Sequence, residues 1–227
     1  MIKGKNILVI AAHNDDEVLG CGGTIAKLSE FNDIHVLILT ESTSSQYSEN
    51  IERIKVEKKE HSDKVRKLLG IKKYFFADLP DMGLESVKST KLNDIIFEHL
   101  IQTKSTVVFT HHNGDINKDH RLIYDSTLVA CRPIPDRHYV EKLYCYEVLS
   151  STEWAFNEIN SFIPNLWVDI SNYIKLKEEA IAVYETEIRS FPHPRSKEGI
   201  RILSQKRGLE VGLEFAECFH QIRHTMF

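Results

Sequence analysis

The sequence predicts an α/β fold, a Rossmann-like, mostly parallel sheet with helices on both faces and an irregular C-terminal extension. Two observations predict it. Short apolar runs rich in β-branched residues alternate with segments of helical period, and brief polar loops join each pair. The chain of 227 residues, 42% of them hydrophobic, suffices for one sizeable core and falls short of two ordinary domains, so residues 1–227 are expected to form a single domain.

Taken in order, strands are expected at Asn6 to Ala12, Ile34 to Thr40, Lys73 to Ala77 and Thr106 to Thr110. Helices are expected from Glu17 to Glu30, from Glu49 to Leu69 with Gly70 as terminator, from Lys91 to Thr103, and from Asp119 to Cys131, closed by Arg132-Pro133. Lys142 to Leu149 reads as a further strand. Beyond it, Lys175 to Arg189 and Arg201 to Phe219 read as helices flanking the Phe191-Pro192-His193-Pro194 loop, with the part from about residue 150 capping the sheet.

The formal net charge is -4, and the only basic concentration is the scattered one from Arg53 to Arg66. That balance argues against nucleic acid or an anionic membrane as partner and favours a small polar or neutral substrate. Cys21, Cys131, Cys145 and Cys218 stand singly, without a CxxC pair, and read as small buried apolar residues. With neither a secretory pattern nor an apolar run long enough to span a bilayer, a reduced, cytoplasmic protein without membrane insertion is expected. Oligomeric state is open, and a homo-oligomer is compatible with the sequence.

In a doubly wound sheet, ligands bind beyond the carboxyl ends of the strands. Two loops there are rich in chemistry: His13-Asn14-Asp15-Asp16-Glu17 after the first strand, and His111-His112-Asn113-Gly114-Asp115-Ile116-Asn117-Lys118-Asp119-His120 after the fourth. An imidazole and a carboxylate three positions apart at a strand-to-helix turn can face one crevice, and an imidazole from the second loop can complete three ligands. Three His/Asp ligands leave a coordination position free, the pattern of a catalytic rather than a structural zinc site. One of the paired aspartates can ligate while its neighbour takes a proton from water.

Weaker signals surround this pair of loops. Asp115, Asp119 and His112 are candidates for orienting a ligating ring. His193 and Arg195 are candidates for the pocket rim, and Arg53 is a lesser one. Gly20, Gly22 and Gly23 follow the acidic run and lack the order of a dinucleotide loop, so close helix packing is their expected role. His220 and His224, four apart on an expected helix, are read as a solvated face, and Phe215 with Phe219 as core or subunit contact.

The run His13-Asn14-Asp15-Asp16-Glu17 with Gly22-Gly23-Thr24, the later Asp119-His120-Arg121, and the tail Pro192-His193-Pro194-Arg195-Ser196 resemble the signatures of the PIG-L or LmbE-like zinc-dependent N-acetylglucosaminyl deacetylases. The resemblance implies Zn2+ held by His13, Asp16 and His120, with Asp15 as general base, and an N-acetylglucosamine-type sugar or sugar conjugate as the small-molecule partner. Two positions depart from the family pattern. Asn14 replaces the usual proline, and Asn117 stands where many members carry a histidine that polarises the acyl oxygen, so Asn117 is the candidate neutral donor there. Alternatives are a zinc amidase or esterase on another acylated molecule, and a non-catalytic sugar or nucleotide binder.

Overall fold

In a computed structural model describing residues 2–43, 51–136, 138–156 and 160–226, the run Ile7-Leu8-Val9-Ile10 forms the central strand β1 (Asn6–Ala11). Its apolar side chains are buried on both faces, as a strand covered by helices on each side requires. β2 (Asp33–Thr40), β3 (Lys73–Leu79), β4 (Val107–His111) and β5 (Lys142–Tyr146) lie parallel to it. The connections are α1 (Asp16–Ser29), α2 (Ile51–Leu69), α3 (Ser89–Thr103) and α4 (Lys118–Ala130). Expected boundaries and observed ones agree to within two residues for these helices and the first four strands; the expected start of the second helix, Glu49, lies outside the described residues.

The pleat sorts the core into two layers. Ile7, Val9 and Ala11 pack with Val18, Ile25, Val65 and Leu69 of α1 and α2, whereas Leu8, Ile10 and Ala12 pack with Leu92, Ile96, Leu100 and Ile123 of α3 and α4. Each fully buried Ile or Leu contributes about 1.5–3 kcal/mol, so this double layer fixes strand register. Gly20 of α1 packs directly on the Tyr146 ring, and a Cβ on Gly23 would meet Ile170 at 2.9 Å. Close helix packing is thus the role of these two glycines.

The strand order is β3-β2-β1-β4-β5-β7-β6, so the connections reverse direction between β1 and β4. At such a switch point the loops leaving adjacent strands diverge to opposite faces and open a crevice. The two chemistry-rich loops leave these two strands.

The C-terminal third departs from expectation. α5 (Ile174–Ala182) ends earlier than Arg189, and the expected helix from Arg201 to Phe219 is instead α6 (Lys197–Leu209) followed by strand β7 (Ala216–His224). Gly212, at φ 76°, and the Leu213 N–H bonded to the Gly208 carbonyl (2.9 Å) stop the helix. β7 then fills the gap between β5 and a strand not foreseen, β6 (Leu166–Asp169), pairing antiparallel with both. Phe215 and Phe219 are core residues in this arrangement. This segment extends the sheet laterally.

β7 also braces α1. Glu217 accepts the backbone N–H groups of Gly23 (2.9 Å) and Thr24 (2.7 Å), while Lys177 of α5 donates to the Leu19 carbonyl (2.8 Å) and to Glu217 (2.6 Å). Both side chains are buried, so removing one leaves an unpaired charge in the core. Glu217→Ala is expected to lower unfolding free energy by about 3–5 kcal/mol, read by urea denaturation, with Lys177→Met/Glu217→Leu recovering much of the loss.

Candidate metal centre and surrounding pocket

β1 ends at Ala11, and the following turn points three side chains of one short run in different directions. Asp15 sits at φ 136° with its N–H on Glu17 Oε2 (3.1 Å), a conformation that non-glycine residues rarely adopt. Glu17 is itself anchored by the Tyr74 hydroxyl (2.8 Å) and the Tyr184 hydroxyl (2.7 Å), both donating to Oε1. The turn directs Asp16 toward β4 and Asp15 toward the C-terminal segment. Asn14, in place of the proline of the pattern, donates its N–H to Ser42 Oγ (2.8 Å) and its amide to Ser62 Oγ (2.5 Å), so two bonds replace the stiffness of a proline ring.

His13, Asp16 and His120 converge. Asp16 Oδ2 lies 3.1 Å from His13 Nδ1 and 3.3 Å from His120 Nε2, and ligating atoms of the three lie within 4.8 Å of one another. Asp16 and His120 are almost wholly buried. Burial works to raise the Asp16 carboxyl, but the neighbouring imidazoles of His120 and His111 hold it well below its usual value. Burial likewise works to lower His120, yet Asp16 and Asp115 bring it up to about 9. The net demand of the cluster is for positive charge.

The chemistry of the donor set fits a metal ion. His120 Nε2 and Asp16 Oδ1 are buried without a hydrogen-bond partner, His13 Nδ1 faces the same carboxylate, and imidazole nitrogen with carboxylate oxygen is a zinc-type donor set. Behind His120, Asp115 Oδ2 lies 3.1 Å from Nδ1. Asp115 is fixed in turn by the Ser151 hydroxyl, the Thr152 hydroxyl (2.7 Å) and the Asn117 N–H (2.8 Å). His111 stacks on His120 with ring centroids 3.8 Å apart and accepts the Ala12 N–H at Nε2 (2.9 Å), and burial keeps it neutral.

A cavity of about 140 Å³ opens beside this cluster, lined by His13, Asn14, Asp15, Asp81, Asn117 and Arg195, with Lys58 and Glu187. Asn117 is the N-cap of α4. Its Oδ1 accepts the Asp119 N–H (2.9 Å) and its amide nitrogen donates one N–H to Met82 Sδ (3.7 Å), which leaves the other amide N–H for the cavity. Arg195 reaches in from the proline-bounded loop and donates to Asp15 Oδ2 (2.8 Å). Burial pushes the Asp15 carboxyl up to about 7 against the opposing pull of that guanidinium. A larger cavity of about 460 Å³, lined by residues of α5 and α6 among others, contains none of these groups.

Several candidates lie elsewhere. His112 turns to the Asn160 carbonyl (2.8 Å), and Arg53 is exposed and pairs with Glu57 along α2. His193 bonds the Arg195 N–H (3.1 Å) without lining the cavity, so its contribution is to the shape of the loop. His220 and His224 sit on a strand, where four residues span about 13 Å, too far for joint chelation. All four cysteines are buried and free, and burial pushes the Cys131 thiol up to about 12. The sequence reading missed Asp81, Lys58 and Glu187. Asp81 carried the same positional signal as the two loops already singled out, since it follows the carboxyl end of β3.

A doubly wound sheet with a His/Asp cluster and a polar cavity at its switch point defines the chain as an α/β protein with a candidate metal-binding active site. Residues 8–131, more than half of the chain, match the PIG-L family, described as GlcNAc-PI de-N-acetylase, and the protein belongs to that family of deacetylases. It is 29% identical over 193 residues to the uncharacterized deacetylase YaiS of Escherichia coli K12, across 81% of this chain and 92% of the relative. Among solved structures, it resembles the conserved protein TT1542 of Thermus thermophilus with a TM-score of 0.77 at 24% identity, covering 98% of this chain and 97% of the other. It also resembles N,N'-diacetylchitobiose deacetylase of Pyrococcus horikoshii, with a TM-score of 0.80 at 20% identity over 96% and 84% of the two chains. Among the described residues, no helix is long and apolar enough to cross a membrane.

Proposed function

We propose that this protein is a zinc-dependent hydrolase that removes an N-acetyl group from an N-acetylglucosamine-type sugar or a small conjugate of one. One observation carries the reading: a half-buried imidazole and a buried carboxylate from the loop after β1 converge with a buried imidazole from α4, their ligating atoms within 4.8 Å of one another beside a polar cavity that a second carboxylate, Asp15, lines. The deacetylase family and the chitobiose substrate named for the Pyrococcus structure support the substrate class. Four free cysteines are in keeping with a cytoplasmic setting.

His13, Asp16 and His120 would hold the metal, which when bound supplies a Lewis acid for the acetyl carbonyl and brings the pKa of water down to about 7. Asp15 accepts the proton of the attacking water as a carbon–oxygen bond forms at the acetyl carbon. Its pairing with Arg195 aims the carboxylate into the cavity. The Asn117 amide donates to the oxyanion that develops on the acetyl oxygen, a neutral substitute for the imidazole of other members. When the carbon–nitrogen bond breaks, Asp15 returns its proton to the amine, and acetate and the amino sugar leave.

Acetate release from a panel of N-acetylglucosamine conjugates, nucleotide- and lipid-linked forms included, tests this reading. Release by the zinc-loaded protein is expected to stop on exhaustive chelation and to resume with added zinc. Turnover that survives chelation would refute the metal role, and release confined to acylated compounds without a sugar would refute the substrate class. Asn117→Ala is expected to lower kcat by about 10²- to 10³-fold, and an unchanged kcat would remove Asn117 from the mechanism.

A further inference from the structure

The loop after β3 contributes a carboxylate to which neither the family pattern nor the mechanism above gives work. Asp81 has a nearly buried side chain, with Oδ1 3.0 Å from His13 Nε2, and Asp119 Oδ2 lies 3.6 Å from the same nitrogen. All three atoms are buried and lack any hydrogen bond of good geometry. His13 therefore stands between two acidic sides: Nδ1 faces Asp16, and Nε2 faces Asp81 and Asp119.

We propose, on the basis of the metal-site reading, that Asp81 is a positioning residue: with the metal bound it accepts the Nε2 proton of His13 and thereby commits Nδ1 to the metal. A ligating imidazole with one nitrogen on the metal gives its other N–H to a carboxylate, which fixes the tautomer and ring angle and makes the ring a stronger donor. The loop is built to hold that carboxylate still. Asp119, the residue before the ligand His120, uses Oδ1 to accept the Leu84 N–H (3.1 Å), so the helix that supplies His120 also ties down the loop that supplies Asp81. Three loops of the sheet, after β1, β3 and β4, are thus linked through one imidazole.

His13, Asp81 and Asp119 could by themselves surround a cation. The other assignment accounts for more of the site, because a metal on the Nε2 side would leave His120 Nε2 and Asp16 Oδ1 buried with nothing to bind. One N–H between two carboxylates, by contrast, needs only the nearer one, at 3.0 Å against 3.6 Å, and Asp119 is held in place through its other oxygen by the Leu84 N–H.

Two measurements test the proposal. Long-range proton–nitrogen NMR on the zinc-loaded wild type reads the His13 tautomer directly: Nε2–H with Nδ1 on the metal is expected, and Nε2 on the metal would overturn the proposal without any variant having to fold. Competition with a chelator then compares zinc affinity. Asp81→Asn is expected to bind zinc about 10- to 100-fold more weakly, with the melting temperature of the zinc-free protein and the KM at saturating zinc little changed, and Asp81→Glu is expected to recover part of the affinity. Unchanged zinc affinity with a raised KM would overturn the proposal by making Asp81 a substrate-binding group. If the wild type binds no zinc, the functional reading fails with it; if zinc binds, is lost on His120→Ala and is held by Asp81→Asn as tightly as by the wild type, only this proposal fails.

Discussion

Replacing Asp15 with Asn is expected to lower kcat by about 10²- to 10⁴-fold, equivalent to about 3–5 kcal/mol, with zinc content and KM nearly unchanged. The substitution keeps the shape of the side chain and an oxygen for the Arg195 guanidinium, so the strained turn and the salt-bridged loop should persist. What it removes is the capacity to take a proton. The pH profile supplies an independent check. A general base works as its carboxylate, so kcat/KM rises with pH through the Asp15 pKa, which burial sets at about 7 in the metal-free site. A divalent cation held by the adjacent Asp16 favours the ionised form, so the limb should lie at or below that value. In Asp15→Asn the residual rate should lose this limb, and a variant that keeps both the limb and the rate would show that the proton goes elsewhere.

How much of this was legible in the sequence depends on which interaction decides each element. The first four strands and their helices could be read because a parallel sheet buried on both sides writes its pattern locally, as in Ile7-Leu8-Val9-Ile10. Gathering His13, Asp16 and His120 was also foreseeable, since the switch-point rule brings the loops after β1 and β4 together wherever they lie in the chain. The error at β7 has the opposite origin. Arg201 to Phe219 contains good helix formers, and only pairing with β5 and β6, about 70 and 50 residues earlier, makes its second half a strand. The glycines at 208 and 212 were the one local warning. Asp81 was missed for a related reason: its partner is an imidazole 68 positions away, and Leu79-Pro80-Asp81-Met82 offers only its place after a strand end, without the run of His and Asp that singled out the other two loops.

The second large effect concerns His120. With His13, Asp16 and His120 as the proposed zinc ligands, losing one of the three should weaken binding by about 10²- to 10⁴-fold, and His120→Ala is expected to purify largely zinc-free and inactive. The deletion also strands Asp16 and Asp115, both of which the ring contacts. The pH dependence separates these consequences. In the zinc-free wild type, the neighbouring carboxylates raise His120 to about 9 from an ordinary 6.5, so the charged ring stabilises the fold fully below about pH 6.5, and that contribution fades as pH rises through 9. Zinc needs the neutral ring, so its affinity should grow over the same interval in which the zinc-free protein weakens. Denaturation of the zinc-free wild type at pH 6 and pH 9 should therefore show a fall in stability that zinc reverses, and His120→Ala should show neither the fall from this residue nor the rescue. A zinc-free protein equally stable at both pH values would mean that His120 is already neutral, and that the acidic side chains around it are balanced by some other charge.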